Sequence, residues 1–367
     1  MSVVFFVERT KLHDMLLQTF QKRGINAFYV NPYNFLRAPP AYWNYERVFE
    51  QVYIEGISEI VRKYNPSFIV SNNWSHYPMI IRIPTLYMLH IICFPIVEER
   101  IKKIRERINF EGYRLYDYSK MMHYAFKVFS DKNIFLHCPA EEILQLLKKE
   151  YPRIETVLIR YPVWENTPPV PRKFEERDFD ILIISKYHKI LPMIDIVVEA
   201  IEGLRKRGLK VVYKHYTTSA FRYRNEVENE KYEKYLEILR NAGAEIVSVD
   251  MKKEEYYEFI SRFKVAISFS VDETFGVKIA EQMALTPTLT ITNDFWFKSI
   301  IKCEPENLVD EVIELISSKG KWSETLEEQR EESSQYTPEK TFSDMNSLLD
   351  RLFERGFFEK RGVERWM

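Results

Sequence analysis

Two carboxylates, Glu273 and Glu281, stand with seven residues between them around Phe275-Gly276 in the segment FSVDETFGVKIAEQMALTP, residues 269–287. An almost wholly apolar run, VAISFS (265–270), leads into a short acidic loop, and Gly276 then opens the helical pattern VKIAEQMAL. The pattern puts Glu273 in a strand-to-helix turn and Glu281 inside the helix. Turns of this kind, at the carboxyl end of a buried parallel strand, are where open α/β sheets hold ligands. Backbone N–H groups after Gly276 would meet a phosphate with the positive end of the helix dipole, and carboxylates nearby suit sugar or ribose hydroxyls. Ile279, Ala280, Met283 and Ala284 make an apolar band in the helix, so Glu281 stands at the edge of a buried face. A carboxylate there needs a partner, and ribose hydroxyls supply two donors. The competing reading of Glu281 is a solvated surface residue. Glu273 has a rival in its neighbour Asp272, but the spacing to Phe275-Gly276 favours Glu273 as the inward group.

Strand-like runs alternate with helix-length amphipathic stretches, the pattern of parallel sheets joined by crossover helices. In the first half the runs are SVVFFV (2–7), INAFYV (25–30), SFIV (67–70), PTLYML (84–89), FKVFS (126–130) and TVLIRYP (156–162). In the second they are FDILIIS (179–185), LKVVYKH (209–215), AEIVSVD (244–250), VAISFS (265–270) and TLTIT (288–292). A stretch rich in proline and charge, ENTPPVPRKFEERD, has no apolar period and places a domain boundary near residue 168. The tail is polar and charged over 317–340 and regains helical periodicity from 341. At 367 residues the chain exceeds what one core usually serves, so two domains are the default.

The segment 269–287 resembles the signature of retaining, nucleotide-sugar-dependent glycosyltransferases of the GT-B fold, in particular the large family 4. The match covers Glu273, Phe275, Gly276, Glu281, Met283, Ala284 and Pro287. It departs in lacking the usual Gly between Ala284 and the proline, and in a helix-to-proline spacing one residue short. The resemblance implies an α/β fold of two doubly wound, Rossmann-like parallel-sheet domains facing a cleft. An acceptor-side domain would span 1–167 and a nucleotide-sugar domain 168–340, with a last helix, 341–367, crossing back to the first. It implies a hexosyltransferase-type enzyme that takes a UDP or GDP sugar as donor substrate and keeps the anomeric configuration. Glu273 would then sit by the hydroxyls of the transferred sugar and Glu281 by the ribose. The Phe275-Gly276-Val277 backbone would face the diphosphate.

The same family has a Gly-Arg pair and a Lys-Gly pair that clamp the diphosphate after the first strand of its second domain. Here ILIISKYHKILPM has Ser185-Lys186 in the first place and Pro192-Met193 in the second, with Lys189 three residues before the latter. Lys186 and Lys189 are the candidate phosphate contacts; Lys lacks the planar fork of Arg, so its contact is less directional. Solvated loop lysines are the alternative, a stronger one for Lys189. SFIVSNNWSHYPMIIRIPTLYMLH resembles the strand, helix and strand that lead to a cleft histidine, here His90. A neutral imidazole can accept or donate near the reacting groups; the alternative is a histidine that caps its strand. The first turn, VFFVERTKLHDML, has Glu8, Arg9, Lys11 and His13 where the family is Gly-rich, which leaves the acceptor (glycan, lipid or protein) open.

Lys and Arg number 53 against 54 Asp and Glu, so there is no basic field for a nucleic-acid backbone. Asp178-Phe179-Asp180 has the form of an Asp-x-Asp metal motif but precedes its strand. The seven histidines form no HExxH arrangement, and no P-loop or GxGxxG is present. The expectation is a metal-independent, cofactor-free enzyme whose leaving diphosphate is stabilised by lysine, backbone N–H groups and a helix dipole. Three separated cysteines, Cys93, Cys138 and Cys303, and the short apolar run of MSVVFFVERT point to the cytoplasm. A basic amphipathic run, PIVEERIKKIRERINF (95–110), lies where lipid-modifying relatives touch a membrane surface; a solvated helix is the other reading. Two further functions stay open: a non-catalytic nucleotide-sugar or glycan-binding module, and a nucleotide-sugar epimerase. The oligomeric state is open too.

Overall fold

A computed structural model describes residues 3–7, 11–30, 62–63, 65–72, 84–88, 98, 102, 104–109, 114–129, 133–185, 191–215, 226–248, 251–269, 275–291 and 297–358. The chain divides into two units, each built on a six-stranded sheet whose neighbouring strands all run parallel. One unit takes Met1–Pro95, Asp117–Pro162 and Pro338–Met367; the other takes Ile96–Tyr116 and Val163–Thr337. The second unit thus begins at Val163 rather than near 168 and borrows a stretch from the first half of the chain.

The first unit holds β1 (Val3–Val7), α1 (Lys11–Lys22), β2 (Asn26–Val30), β3 (Phe68–Asn72), β4 (Thr85–Met88), α2 (Arg114–Phe129), β5 (Ile134–Cys138), α3 (Glu141–Glu150) and β6 (Glu155–Leu158). Its strand order is β2-β1-β3-β4-β5-β6. Residues two apart share a face, and Val4 and Phe6, Phe68 and Val70, and Leu86 and Met88 all enter one core. Leu12, Leu16 and Phe20 of α1 cover it, four residues apart along one helical stripe. The segment FKVFS, an expected strand, instead ends α2. Met122, Ala125 and Phe126 are buried there at helical spacing, and the strand that follows is the uncharged run IFLHC, buried at every position. Three β-like residues at a helix end, Phe126, Val128 and Phe129, mimic a strand when the preceding turns are not weighed.

The second unit holds β7 (Phe179–Ser185), α4 (Ile194–Lys206), β8 (Val211–His215), α5 (Glu226–Asn241), β9 (Glu245–Val247), α6 (Lys253–Ser261), β10 (Phe263–Ser268), α7 (Val277–Met283), β11 (Thr288–Thr290), β12 (Ile301–Lys302), α8 (Leu308–Ser317) and α9 (Lys319–Ser334). Its order, β12-β11-β10-β7-β8-β9, is that of a doubly wound dinucleotide-type sheet, in which the winding reverses between β7 and β10. The polar stretch 317–340 is helical in α9 because Trp322, Leu326, Gln329 and Ser333 form a buried stripe at steps of three and four. Half of that stripe is polar, which hides it from an apolar count. Gln329 uses both ends of its amide on Thr288, accepting from the backbone N–H at 2.7 Å and donating to the carbonyl at 2.9 Å.

A last helix, α10 (Pro338–Glu354), belongs to the first unit and buries Met345, Leu348, Leu349 and Leu352 in its core. Arg160 secures it: its backbone N–H and guanidinium donate to the Asp344 carboxylate at 2.9 and 2.7 Å. In the borrowed stretch the described residues of 95–110 include Glu98, which is helical, and a short turn at Arg105–Arg107. Ile104 and Ile108 are buried, Asn109 donates its N–H to the Pro192 carbonyl, and Arg107 pairs with Glu199 and Glu306. Its described apolar side chains therefore already have a protein surface to cover them.

Candidate functional site

The reversal between β7 and β10 brings the carboxyl ends of the two strands side by side. The Ser185 hydroxyl, at the end of β7, donates to the Phe269 carbonyl just past β10 at 3.3 Å. After β10 the chain reaches Phe275 and Gly276 and enters α7. Gly276 is the N-cap at φ 77°, ψ 50°, a left-handed conformation that costs an L side chain about 1–2 kcal/mol, and no side chain caps the helix start. Phe275 is buried, with its ring 4.8 Å from that of Tyr336 and 5.6 Å from that of Phe297. The ring is therefore a packing anchor that leaves only its backbone to a ligand.

α7 is buried along Ile279, Ala280, Met283 and the two polar residues between them, Glu281 and Gln282. Ser333 of α9 donates its hydroxyl to the Ala280 carbonyl at 2.7 Å, and the Trp164 indole N–H donates to the Ser333 carbonyl and hydroxyl. The helix end departs from a glycine-terminated one in a way the structure explains. Ala284 closes it in the right-handed region, and arginines take the buried carbonyls at this end: Arg330 donates to Ala284 O at 3.1 Å and Arg177 to Leu285 O at 2.9 Å. Cations at a helix carboxyl end are favoured by both the free carbonyls and the dipole. Burial pushes Arg177 down to about 9, which still leaves it a cation at neutral pH.

Glu281 is only 4 % exposed and its carboxylate is shared between two neighbours. The Tyr257 hydroxyl of α6 donates to Oε1 at 3.1 Å, and the Lys278 ammonium lies 2.8 Å from Oε2. The Tyr257 ring packs 5.3 Å from Trp164 and 6.0 Å from Tyr256. Burial first, and the charge of Glu281 second, push the Tyr257 phenol far above its ordinary value, so it stays a donor across the working range of pH. Lys278 sits in the first turn of α7, where the dipole disfavours a cation. Its ion pair with Glu281 and its place 4.2 Å over the Tyr256 ring offset that. Together Tyr257, Lys278 and Glu281 form a donor–acceptor cluster one turn inside the helix that follows the reversal point.

No protein-family model and no curated protein sequence matches this chain. Solved structures do match it. Sucrose-phosphate synthase from Thermosynechococcus elongatus is 13 % identical, with a TM-score of 0.66 over 97 % of this chain and all of that one. A UDP-forming α,α-trehalose-phosphate synthase from Burkholderia vietnamiensis is 8 % identical, with a TM-score of 0.63 over 98 % of this chain and all of that one. TarM from S. aureus, solved with fondaparinux, α-GlcNAc-glycerol and UDP, is 12 % identical, with a TM-score of 0.55 over 81 % of this chain and 58 % of that one. The fold is that of the GT-B glycosyltransferases.

Within this GT-B fold, Phe275, Gly276, Val277 and Glu281 come together at the reversal point of the second sheet. Lys186, Lys189, Glu273 and His90 lie outside the described residues; of these, Lys186 directly follows the last residue of β7. Asp178 and Asp180 lie at the opposite, amino end of β7. There Asp178 pairs with Arg262 at 2.8 Å and Asp180 with Lys264 at 2.9 Å, which accounts for both without a metal ion. Sequence reasoning missed Tyr257, Lys278 and Trp164. Only Lys278 left a signal, as a cation at a helix start; Tyr257 and Trp164 reach the cluster from 24 residues and more away. It also passed over Lys214, a lysine 2 % exposed near the carboxyl end of β8, beside β7. Its signal is a charge inside an apolar strand. Among the described residues no helix is long and apolar enough to cross a membrane.

Proposed function

We propose that the chain is a glycosyltransferase that moves a sugar from a nucleotide-sugar donor to an acceptor hydroxyl, with retention of anomeric configuration and without a metal ion. The observation that carries the reading is the buried Glu281 carboxylate on the helix that follows β10 at the reversal point of a GT-B second unit. Glu281 accepts from the ribose hydroxyls of the donor. Glu273 orients the transferred sugar, while Lys186, assisted by Lys189, and the backbone of Phe275, Gly276 and Val277 face the diphosphate. His90, with other residues of the first unit, serves the reacting groups and the acceptor. In the reaction the bond from the anomeric carbon to the diphosphate breaks, the acceptor oxygen bonds that carbon on the same face, and the nucleoside diphosphate leaves with the acceptor's proton. UDP is the first nucleotide to try, since the trehalose-phosphate synthase neighbour is named as UDP-forming and TarM was solved with UDP. Transferred hexose, acceptor and cytoplasmic location belong to the same proposal.

A thermal-shift screen of nucleoside diphosphates and nucleotide sugars tests it directly. A ligand at a hundred times its Kd adds about 2.7 kcal/mol of stability. Silence from every nucleotide, with the protein shown to be folded, overturns the reading. Product analysis then separates transfer, which releases a nucleoside diphosphate, from epimerisation, which yields an isomerised nucleotide sugar. Donor binding without turnover across a donor and acceptor panel would favour the non-catalytic module.

A further inference from the structure

The Glu281 carboxylate is not an empty acceptor awaiting a ligand. Tyr257 donates a hydrogen bond to Oε1, while Lys278 meets Oε2 as an ion pair at 2.8 Å without a hydrogen bond to it. The two partners differ in kind. Tyr257 is buried against Trp164 and Tyr256 and keeps its place by packing. The Lys278 side chain is 47 % exposed and ends on a flexible four-carbon stem laid over the Tyr256 ring, so it can leave while the rest of the cluster stands.

Building on the donor reading, we infer that Lys278 is an exchangeable counter-ion. It closes Glu281 in the free protein and transfers to the donor's diphosphate when a ribose takes Oε2. The chemistry of the ligand supports the exchange. A nucleoside diphosphate carries its diol and its phosphates on the same ribose ring, so a lysine that touches the diol's acceptor lies within one side-chain length of the phosphates. A buried carboxylate gains from a donor at each oxygen, and Oε2, which has an ion pair but no hydrogen bond, would receive one from the diol as the ammonium leaves. The swap leaves no charge bare: the ammonium exchanges a carboxylate for a phosphate, and the carboxylate exchanges an ammonium for two hydroxyls. The inference also supplies a phosphate-binding cation that the altered Lys-Gly position, occupied by Pro192-Met193, does not.

The test compares binding of uridine and UDP by titration calorimetry to the full chain, wild type and Lys278→Met, with guanosine and GDP as a second pair. A diphosphate-bound lysine is worth about tenfold in affinity, so Lys278→Met should narrow the preference for the diphosphate over its nucleoside by about that factor. The nucleoside alone should bind as well or better, because its competitor for Oε2 is gone. Lys278→Gln, which keeps a polar side chain beside Glu281 without the charge, should narrow the preference equally and guards against a folding defect in the Met variant. An unchanged preference in both variants overturns the counter-ion role and leaves the donor reading intact. Failure of the wild type to bind any nucleoside diphosphate overturns both.

Discussion

Replacing Tyr257 by Phe removes one hydroxyl from the cluster and leaves the ring's contacts with Trp164 and Tyr256 in place. The hydroxyl donates to a buried carboxylate at 3.1 Å, and hydrogen bonds to charged groups are worth about 1.5–3 kcal/mol. Against this, a phenylalanine no longer needs to bury a phenol, which returns about 1 kcal/mol. Lys278 keeps the charge of Glu281 neutralised, so the loss stops short of an unpaired buried ion. The expected net cost is about 0.5–2 kcal/mol of unfolding free energy. UDP affinity should fall about three- to tenfold, because the carboxylate is then free to rotate away from the ribose. Denaturant unfolding and calorimetric titration of wild type, Tyr257→Phe, Glu281→Gln and the double variant give the cycle. The pair should couple by about 0.5–1.5 kcal/mol, as groups in direct contact do. A cost for Tyr257→Phe below about 0.5 kcal/mol, or additivity within the same margin, refutes the claim that the hydroxyl holds Glu281.

Gly276→Ala places an L side chain at φ 77° and should cost about 1–2 kcal/mol, with a parallel loss of nucleotide affinity in the thermal-shift assay. Unchanged nucleotide binding would remove that turn from the site. Arg330→Met keeps the aliphatic stem but strands the Ala284 and Pro168 carbonyls, so denaturant unfolding should show a loss of about 1–3 kcal/mol. His123 is held below its ordinary value by burial and by Lys127, while its Nδ1 lies 2.8 Å from the Tyr151 hydroxyl. A depressed histidine contributes stability that is full above 6.5, its unfolded value, and is lost as pH falls toward its folded value. The wild type should thus lose more Tm than His123→Gln between pH 7.5 and 5; equal losses would clear His123 of the effect.

The alternation of apolar runs was enough to read two parallel sheets, because a strand buried on both faces announces itself as an uninterrupted apolar segment such as ILII, residues 181–184 of β7. FKVFS misled for the same reason: a short apolar run carries no record of whether the turns before it are helical. The strand order, and with it the meeting of the β7 and β10 ends, is a property of pairing that no local pattern encodes. In the candidate site, Gly276 at the helix start and Glu281 at the edge of a buried face were legible because both belong to one turn-and-helix segment. Tyr257 and Trp164 were not, since a tyrosine on α6 looks the same whether its hydroxyl meets water or Glu281. The missing glycine at the end of α7 became intelligible only when Arg330 and Arg177 were seen on its carbonyls.

The first unit is assembled from three separate stretches of chain and the second from two, and the last stretch of all, Pro338–Met367, belongs to the first. Synthesis from the amino end ordinarily lets the leading domain fold before the trailing one. Here that order is inverted. Every residue of the second unit has been made by Thr337, while the first unit still lacks α10 and the four core side chains, Met345, Leu348, Leu349 and Leu352, that close its sheet. Until α10 is added, the first unit carries an open apolar face, so a chain ending at Thr337 would present a complete second unit tethered to an unfinished first one that is a natural client for chaperones.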